Sequence, residues 1–468
     1  MATERNFITP AGLNVLTTAN VVGNTVSTDY FSNTARSNQR PSLLLDFVNS
    51  QKLDPRITFK RSTSATYTDP KGIIQTVPVD TPRFEYLNGV CQGLLMEEQR
   101  TNFFANERVI GFSIRSGTSI GPDNKAAYRW FIPAGSRVQY PNLGRPPASY
   151  SFSLAQGSSI DFVFTGYFGP CYGSPQLEPL FVIEVNSNDA GNYIYSTFQF
   201  DGTTGTTRGS GGNVQFSYPV ATVVERHPNG MWKVTWMTRF TQDATIRNRM
   251  TCYFQPRDSV SNGDLIVGVV DSGFEYACCQ VEVGSQATSY IPTSDSSATR
   301  TSEVAYMDGT NFSSWYNPAG GSLYLEAKQT ANVVSRGVCF IGSNEFTGNN
   351  SIHHTYISAA GPQIGNELFV NGIARAQPFT PYTYGNTFKI VSTVSTIPSS
   401  YAYTYYYNGA QISYTGLSVV PLDVDRLVFN ADRFTNGVLN SGTFNGLFRK
   451  IAFYKTGLSN NEMQALTQ

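Results

Sequence analysis

The chain has 468 residues, a length that favours two to four domains. Lys+Arg and Asp+Glu balance at 33 each, so there is no net-charge footprint for nucleic acid or anionic lipid. Only 14% of residues are charged, well below the usual quarter, while 27 Tyr and 31 Phe suit half-buried β-strands under a surface of Ser, Thr, Asn, Gln and Gly.

Residues 1–40 are polar, with apolar positions spaced for short strands in LNVLTTANVVGNTVSTDYF. Such a segment cannot build a core by itself. Residues 41–105 carry Pro55, Pro78 and Pro82, which keep the region from being helical, and an Asn88-Gly89 hairpin signal. They are expected to form a β connector that precedes and packs on the next domain. Residues 106–299 read as one β-sandwich. Its strand candidates are YSFSLAQ, SIDFVFTGYF, PLFVIEV, YIYSTFQF, NVQFSY, MWKVTWMTRF, RMTCYF and LIVGVV, punctuated by Asp201-Gly202, Asn229-Gly230 and Asn262-Gly263. Residues 300–468 read as a second sandwich, with Asn-Gly turns inside ELFVNGIARAQ and YAYTYYYNGAQISYTG. Near its end Ser459 and Glu462 form a capping-box pattern, and Met463 with Leu466 mark the buried side of one short helix, the only helix expected. The fold class is therefore all-β: an extended N-terminal segment, then two antiparallel β-sandwiches of jelly-roll type, then one short C-terminal helix.

The six cysteines lie at 91, 171, 252, 278, 279 and 339, without metal-ligand spacing. They are expected to be reduced and buried, as in a protein folded in a cytoplasm. Cys278 and Cys279 would face opposite sides of a strand. The N-terminal MATERNFITPAGL has no basic-then-apolar signal pattern, and the longest apolar run, Leu265 to Val270, is far too short for a membrane span. A soluble chain without membrane insertion is expected.

The stretch from Leu43 to Asn102 is the most specific in the chain. It reads LLLDFVNSQKLDPRITFKRSTSATYTDP, continues to PRFEY, and ends in GLLMEEQRTN. It resembles a module of tailed-bacteriophage structural proteins. The segments ERHPNGMWKVTWMTRF and QVEVGSQATSYIPT resemble the close of phage-borne jelly rolls similar to carbohydrate-binding modules. DGTNFSSWYNPAGGSLYLEAK and GLFRKIAFYKTGLSNNEMQAL resemble the opening and closing of concanavalin-like, laminin-G-like lectin domains. Residues 1–40 are similar to strand segments of phage fibre shafts. The resemblance implies a virion protein made in the host bacterial cytoplasm. It implies attachment to other virion proteins through residues 1–40, a homotrimer, and host-surface polysaccharide as a partner, with no nucleic acid.

No nucleotide-binding, zincin, EF-hand or nucleophile-elbow motif occurs. His353 and His354 are adjacent and on a strand cannot chelate one ion together. Asp423 and Asp425 share a face but lack a third acid, so a solvated edge is the expected reading. No catalytic residue, metal ligand or cofactor is assigned; Glu275 and Glu282 are the acids through which a structural calcium would be held, although spacing alone does not establish one. For glycan contact, loop aromatics are better candidates than strand ones, because tyrosines on strands also fill cores. They are Trp315 and Tyr316 in SSWYNP, and Tyr382 and Tyr384 in PYTYGN. Three readings stay open: a non-enzymatic fibre or decoration protein with lectin-like domains, a tailspike depolymerase with an inter-subunit site, and a purely architectural capsid cement protein.

Overall fold

The computed structural model describes residues 40–105, 113–132, 134, 137–139, 150–174, 176–187, 193–258, 265–267, 271–330, 336–343, 350–358, 363–371, 373–383, 385–395, 402–415, 423–430, 434–435, 438–439 and 444–468. The expectations for residues 1–39, the Asn262-Gly263 turn and Tyr384 lie outside them. The chain is built from antiparallel sheets, with helix confined to short segments.

The first sandwich pairs a six-stranded with a five-stranded sheet. The six-stranded sheet runs in the order Phe216–Arg226, Trp232–Thr241, Ser159–Tyr172, Ser272–Val283, Ala126–Ile132, Ser113–Ile120. The five-stranded sheet runs Tyr150–Ser151, Arg249–Asp258, Leu177–Asn186, Tyr193–Asp201, Thr206–Gly212. Period-2 alternation sends Phe162, Phe164, Val234 and Trp236 from one sheet against Phe181, Ile183 and Phe254 from the other. Phe164 stacks on Phe181 at 4.0 Å, and Phe254 meets Phe181 edge-on at 5.6 Å. The sequence pattern marks neither Ser113–Ile120 nor Ala126–Ile132 as strands, because charged positions interrupt the alternation. Arg129 is one of these: its guanidinium lies over the Tyr172 ring and donates to the Tyr172 hydroxyl at 2.7 Å. YSFSLAQ contracts to the two-residue strand Tyr150–Ser151.

The second sandwich has two eight-stranded sheets. One contains Ala410–Thr415, Ala402–Tyr407, Thr387–Ser395, Gly320–Gln329 and Gly446–Tyr454; the other contains Val304–Asp308, Arg426–Phe429, Arg336–Gly342, Ser351–Ser358 and Gln363–Val370. The connector belongs here, and this corrects its expected placement. Leu43–Asp46 and Val90–Met96 both pair with Gly446–Tyr454, and Thr58–Lys60 pairs with Val304–Asp308. The reason is apolar: Leu43, Leu45, Phe47, Phe59, Leu94 and Met96 share one buried cluster with Leu325, Phe448 and Ile451. Packing on the next sandwich is thus only part of the connector's role; its strands complete a sandwich whose remaining strands begin two hundred residues later.

Asn88-Gly89 and Asn408-Gly409 take φ values of 52°/79° and 44°/82°, the paired left-handed backbone of a tight hairpin. The C-terminal helix Asn460–Thr467 starts on a complete capping box from Ser459 and Glu462 and buries Met463 and Leu466. It covers Tyr406, so both faces of the tyrosine strand are buried: Tyr403 and Tyr405 inward, Tyr406 beneath the helix. Two one-turn helices go beyond the single expected one, Phe47–Ser50 and Gly309–Ser313. The first exists because the Asp46 carboxylate accepts from the Asn49 amide.

Candidate functional site

The charged residues of the phage-like motifs converge where the connector meets both sandwiches. Glu303, fully buried, accepts two hydrogen bonds from Arg83, Nε at 2.9 Å and Nη2 at 2.6 Å, and one from Arg61 Nη1 at 2.7 Å. Arg61 and Arg83 are themselves 1% and 0% exposed. Glu97 lies 2.8 Å from Arg83 and 3.0 Å from Arg300, and accepts from the Ser289 amide and hydroxyl. Burial alone pushes the Glu97 carboxyl up, but the Arg300 and Arg83 guanidiniums and the Ser289 hydrogen bonds overcome it and hold it down to about 2. Charges this dry persist only when paired and hydrogen-bonded, and here nearly every oxygen is claimed.

The same joint accounts for the SYIPT motif. Asn102 is fully buried; its amide donates to the carbonyls of Cys279 and Ile291, and its oxygen accepts from Val281 and Phe104. Gln280 accepts from the Ile291 amide, and Glu282 from Thr288 through amide and hydroxyl. Gly284, at φ +143°, leaves room for the Arg100 guanidinium; a Cβ there would sit 1.8 Å from Arg100 Nη1. The spacing of these motifs is therefore the spacing of a buried joint.

Beside the joint lies a cavity of about 260 Å³. Three parts of the chain line it: Glu85 from the connector; Thr165, Tyr167, Lys233 and Cys278 from the first sandwich; and Leu447 from the second. Thr165 and Tyr167 alternate to the same side of Ser159–Tyr172, and Lys233 is the cross-strand partner of Tyr167. Opposite them the ladder steps from Thr165↔Gln280 to Tyr167↔Ala277, a bulge that carries Cys278 at φ +48°. Cys278 and Cys279 fall in different clusters, on opposite faces of the strand, and all six cysteines are buried and outside any disulfide. Burial pushes the Glu85 carboxyl up, against an amide hydrogen bond from Thr68 that lowers it.

Two of the four glycan-contact aromatics, Trp315 and Tyr382, lie deeper than an exposed loop would place them. Trp315 is 1% exposed and packs edge-on against Phe312 and Phe453 at 4.9 and 5.2 Å. Tyr382 is 5% exposed and meets Phe388 edge-on. Tyr316 is half-buried and stacked on Phe312 at 4.6 Å. The one-turn helix Gly309–Ser313 ends on the first residue of SSWYNP and turns Trp315 back into the core. Trp315 and Tyr382 belong to the hydrophobic core.

The remaining polar candidates are satisfied within the fold. Glu275 accepts from the amides of Thr118 and Ser119, and Glu282 from Thr288, so both carboxylates already have protein donors. Among the described residues no group of three or more His, Cys, Asp or Glu side chains is placed to hold a metal ion. Asp423 accepts from Asn350 and Asp425 pairs with Arg426, both at an exposed edge. His353 is buried at φ +54°, with Nδ1 2.6 Å from the Ser392 hydroxyl; burial holds its ring neutral, with a pKa down to about 3. His227 is half-buried, edge-on to the Tyr167 ring at 5.2 Å.

Sequence reasoning missed the joint and the cavity beside it. A signal was present: in a chain with so few charges, Arg and Glu recur inside otherwise strand-like segments at 83, 85, 97, 100, 300 and 303.

No family model matches the chain, and no curated protein matches it. Among solved structures, part of it is similar to the CBM40 of an IT-sialidase from Ruminococcus gnavus bound to alpha2,3 sialyllactose (18% identity, TM-score 0.27, 32% of this chain and 83% of that one). Part is similar to the NanB sialidase of Streptococcus pneumoniae (13% identity, TM-score 0.29, 34% and 26%). Part is similar to a heptameric SAP-like pentraxin from Limulus polyphemus (11% identity, TM-score 0.25, 31% and 68%). At these scores none of them bears on what this chain binds.

Proposed function

We propose that this chain is a non-enzymatic structural protein of a tailed-bacteriophage virion, a fibre or decoration protein that displays two lectin-like β-sandwiches for adhesion to host-surface glycans. One observation carries the reading. Residues that make the phage-like motifs specific, Arg61, Arg83, Glu97 and Asn102, have their side chains engaged in joining the connector to both sandwiches. A motif used this way marks a part built to join and present domains. Residues 1–40 then serve as the attachment to other virion proteins, and three copies assemble together.

Two measurements test this. Gold-labelled antibody and cryo-EM on purified particles are expected to place the chain on the virion surface, and immobilised host polysaccharide is expected to retain it without new reducing ends. Absence from purified particles overturns the proposal. Release of oligosaccharide would replace it with the depolymerase reading, and a particle-bound chain that ignores polysaccharide would replace it with the architectural one.

A further inference from the structure

We infer that Asn88 is a site of spontaneous covalent modification: its side-chain amide closes onto the Gly89 backbone nitrogen, loses ammonia, and hydrolyses to a mixture of aspartate and isoaspartate. This goes beyond the display reading and does not depend on it, because it needs only water and the hairpin formed by Arg83–Leu87 and Val90–Met96.

The chemistry is intramolecular, so proximity drives it. The Gly89 nitrogen passes its proton to water and attacks Asn88 Cγ. The N–Cγ bond forms, the Cγ–Nδ2 bond breaks, and ammonia leaves with a solvent proton. Water then opens the five-membered succinimide at either carbonyl. One opening gives aspartate; the other reroutes the main chain through Cβ and Cγ as isoaspartate. Glycine in second place leaves the attacking nitrogen unobstructed, because it carries no Cβ.

The sequence holds seven Asn-Gly pairs, so what singles out Asn88 is the protection of the others. Four pairs lie wholly within the described residues, at 88–89, 229–230, 408–409 and 445–446. Asn229 donates to the Ile120 carbonyl and accepts from the Met231 amide, and the Gly230 amide donates to the His227 carbonyl. Asn408 accepts from the Lys389 amide, and the Gly409 amide donates to Thr467 Oγ1 at 3.1 Å, which occupies the nucleophile itself. Asn445 is buried and accepts from the Glu98 amide at 2.8 Å. Asn88 is exposed, and neither its side chain nor the Gly89 amide has a hydrogen-bond partner among the described residues. Ring closure also requires the hairpin tip to rotate, and nothing packs it shut: Leu87 and Val90, the pair directly below the turn, are 61% and 60% exposed.

The modification has a structural consequence. Isoaspartate lengthens the main chain of a two-residue turn and adds a carboxylate to it, so the turn no longer matches the twist of its strands. Val90–Met96 leads directly from that turn, seats Leu94 and Met96 in the core of the second sandwich, and pairs with Gly446–Tyr454. Conversion at Asn88 therefore loosens the connector's hold from its open end.

The test ages the full chain in mildly alkaline buffer and maps amide-to-acid conversion peptide by peptide, with isoaspartate methyltransferase labelling as a second readout. One protecting hydrogen bond corresponds to a slowing of about fivefold, so Asn88 is expected to convert at least about fivefold faster than Asn229, Asn408 or Asn445. Asn88→Gly, which suits the turn and has no side-chain amide, is expected to remove the isoaspartate label from the hairpin peptide. The wild-type map decides alone if that variant fails to fold. Aged wild type is expected to be cut by protease between residues 83 and 96 sooner than aged Asn88→Gly. Conversion at Asn88 no faster than at the three protected asparagines overturns the inference, as does a hairpin label that survives Asn88→Gly. Equal cleavage of the two aged proteins overturns the loosening.

Discussion

The joint and the sandwich cores are both dry, yet opposite chemistry holds them. In the first sandwich, rings from two sheets interdigitate, with Phe254 touching Phe164, Phe168, Phe181, Phe274 and Tyr276. At the joint, Arg61, Arg83, Arg300, Glu97 and Glu303 do the same work with directed charge. Ring packing is forgiving, because a neighbour can shift to fill a gap. A buried charge is not, because its partner cannot be replaced by water. A core therefore fixes a layer spacing, whereas this joint fixes which segments meet and in what register. That is what a connector needs when it must find strands far along the chain.

The largest effect should come from Glu303→Ala. It leaves Arg61 and Arg83 buried without their shared carboxylate and is expected to cost about 3–5 kcal/mol in chemical denaturation. The loss should report first in the connector, as early protease cleavage between residues 60 and 100. A cost below about 1 kcal/mol would mean that water already reaches the cluster and that the contrast with the cores is false.

Acid should separate the two regions next. Glu97 has its folded pKa depressed to about 2 from an ordinary 4.5. Its contribution is complete above about pH 4.5 and drains away as pH falls toward 2, by up to about 3 kcal/mol. His353, in the second sandwich, is held neutral down to about 3 from 6.5. The unfolded chain takes up that proton first, so stability there falls as pH drops from 6.5 to 3. Melting curves across pH 7 to 2 should show both windows. Glu97→Gln should flatten the lower one at a cost in neutral stability, and His353→Asn, which tolerates the positive φ, should flatten the upper one. A single acid window unaffected by Glu97→Gln would remove the joint from the acid response.

Much of this difference can be read in the sequence, though unevenly. Alternating Phe, Tyr and Trp in SIDFVFTGYF and MWKVTWMTRF announce a two-sided core, because side-chain period alone decides which face is buried. Asn-Gly pairs announce their turns because few other residues accept that backbone. The joint is harder. Glu303 and Arg61 are 242 residues apart, and nothing local says that an arginine in KRSTSATY will meet a glutamate in RTSEVAY. The burial of Trp315 was hidden for a related reason: SSWYNP reads as an exposed loop, yet Trp315 is anchored inward by Phe312 three residues before it and by Phe453 from a distant strand. Composition did carry one warning, since charges are rare enough here that a local surplus of Arg and Glu marks a place that uses them.

The smallest expected effect sharpens the core side of the contrast. Phe254→Leu keeps the site apolar but removes the ring that six aromatic neighbours pack against. Because those neighbours can close in, the cost is expected to be about 1–2 kcal/mol, well short of Glu303→Ala. The measurement is the same denaturation experiment, read together with near-ultraviolet circular dichroism for loss of ring packing. The two variants should also differ in kind. Phe254→Leu should lower the midpoint of the first sandwich and leave the pH windows in place, since that ring cluster contains no carboxylate or histidine. If it instead shifted the acid window below pH 4.5, the core and the joint would be one cooperative unit, and the strands from Ser272 to Val283, which carry Phe274 and Tyr276 on one side and feed Gln280 and Glu282 into the joint on the other, would be the coupling.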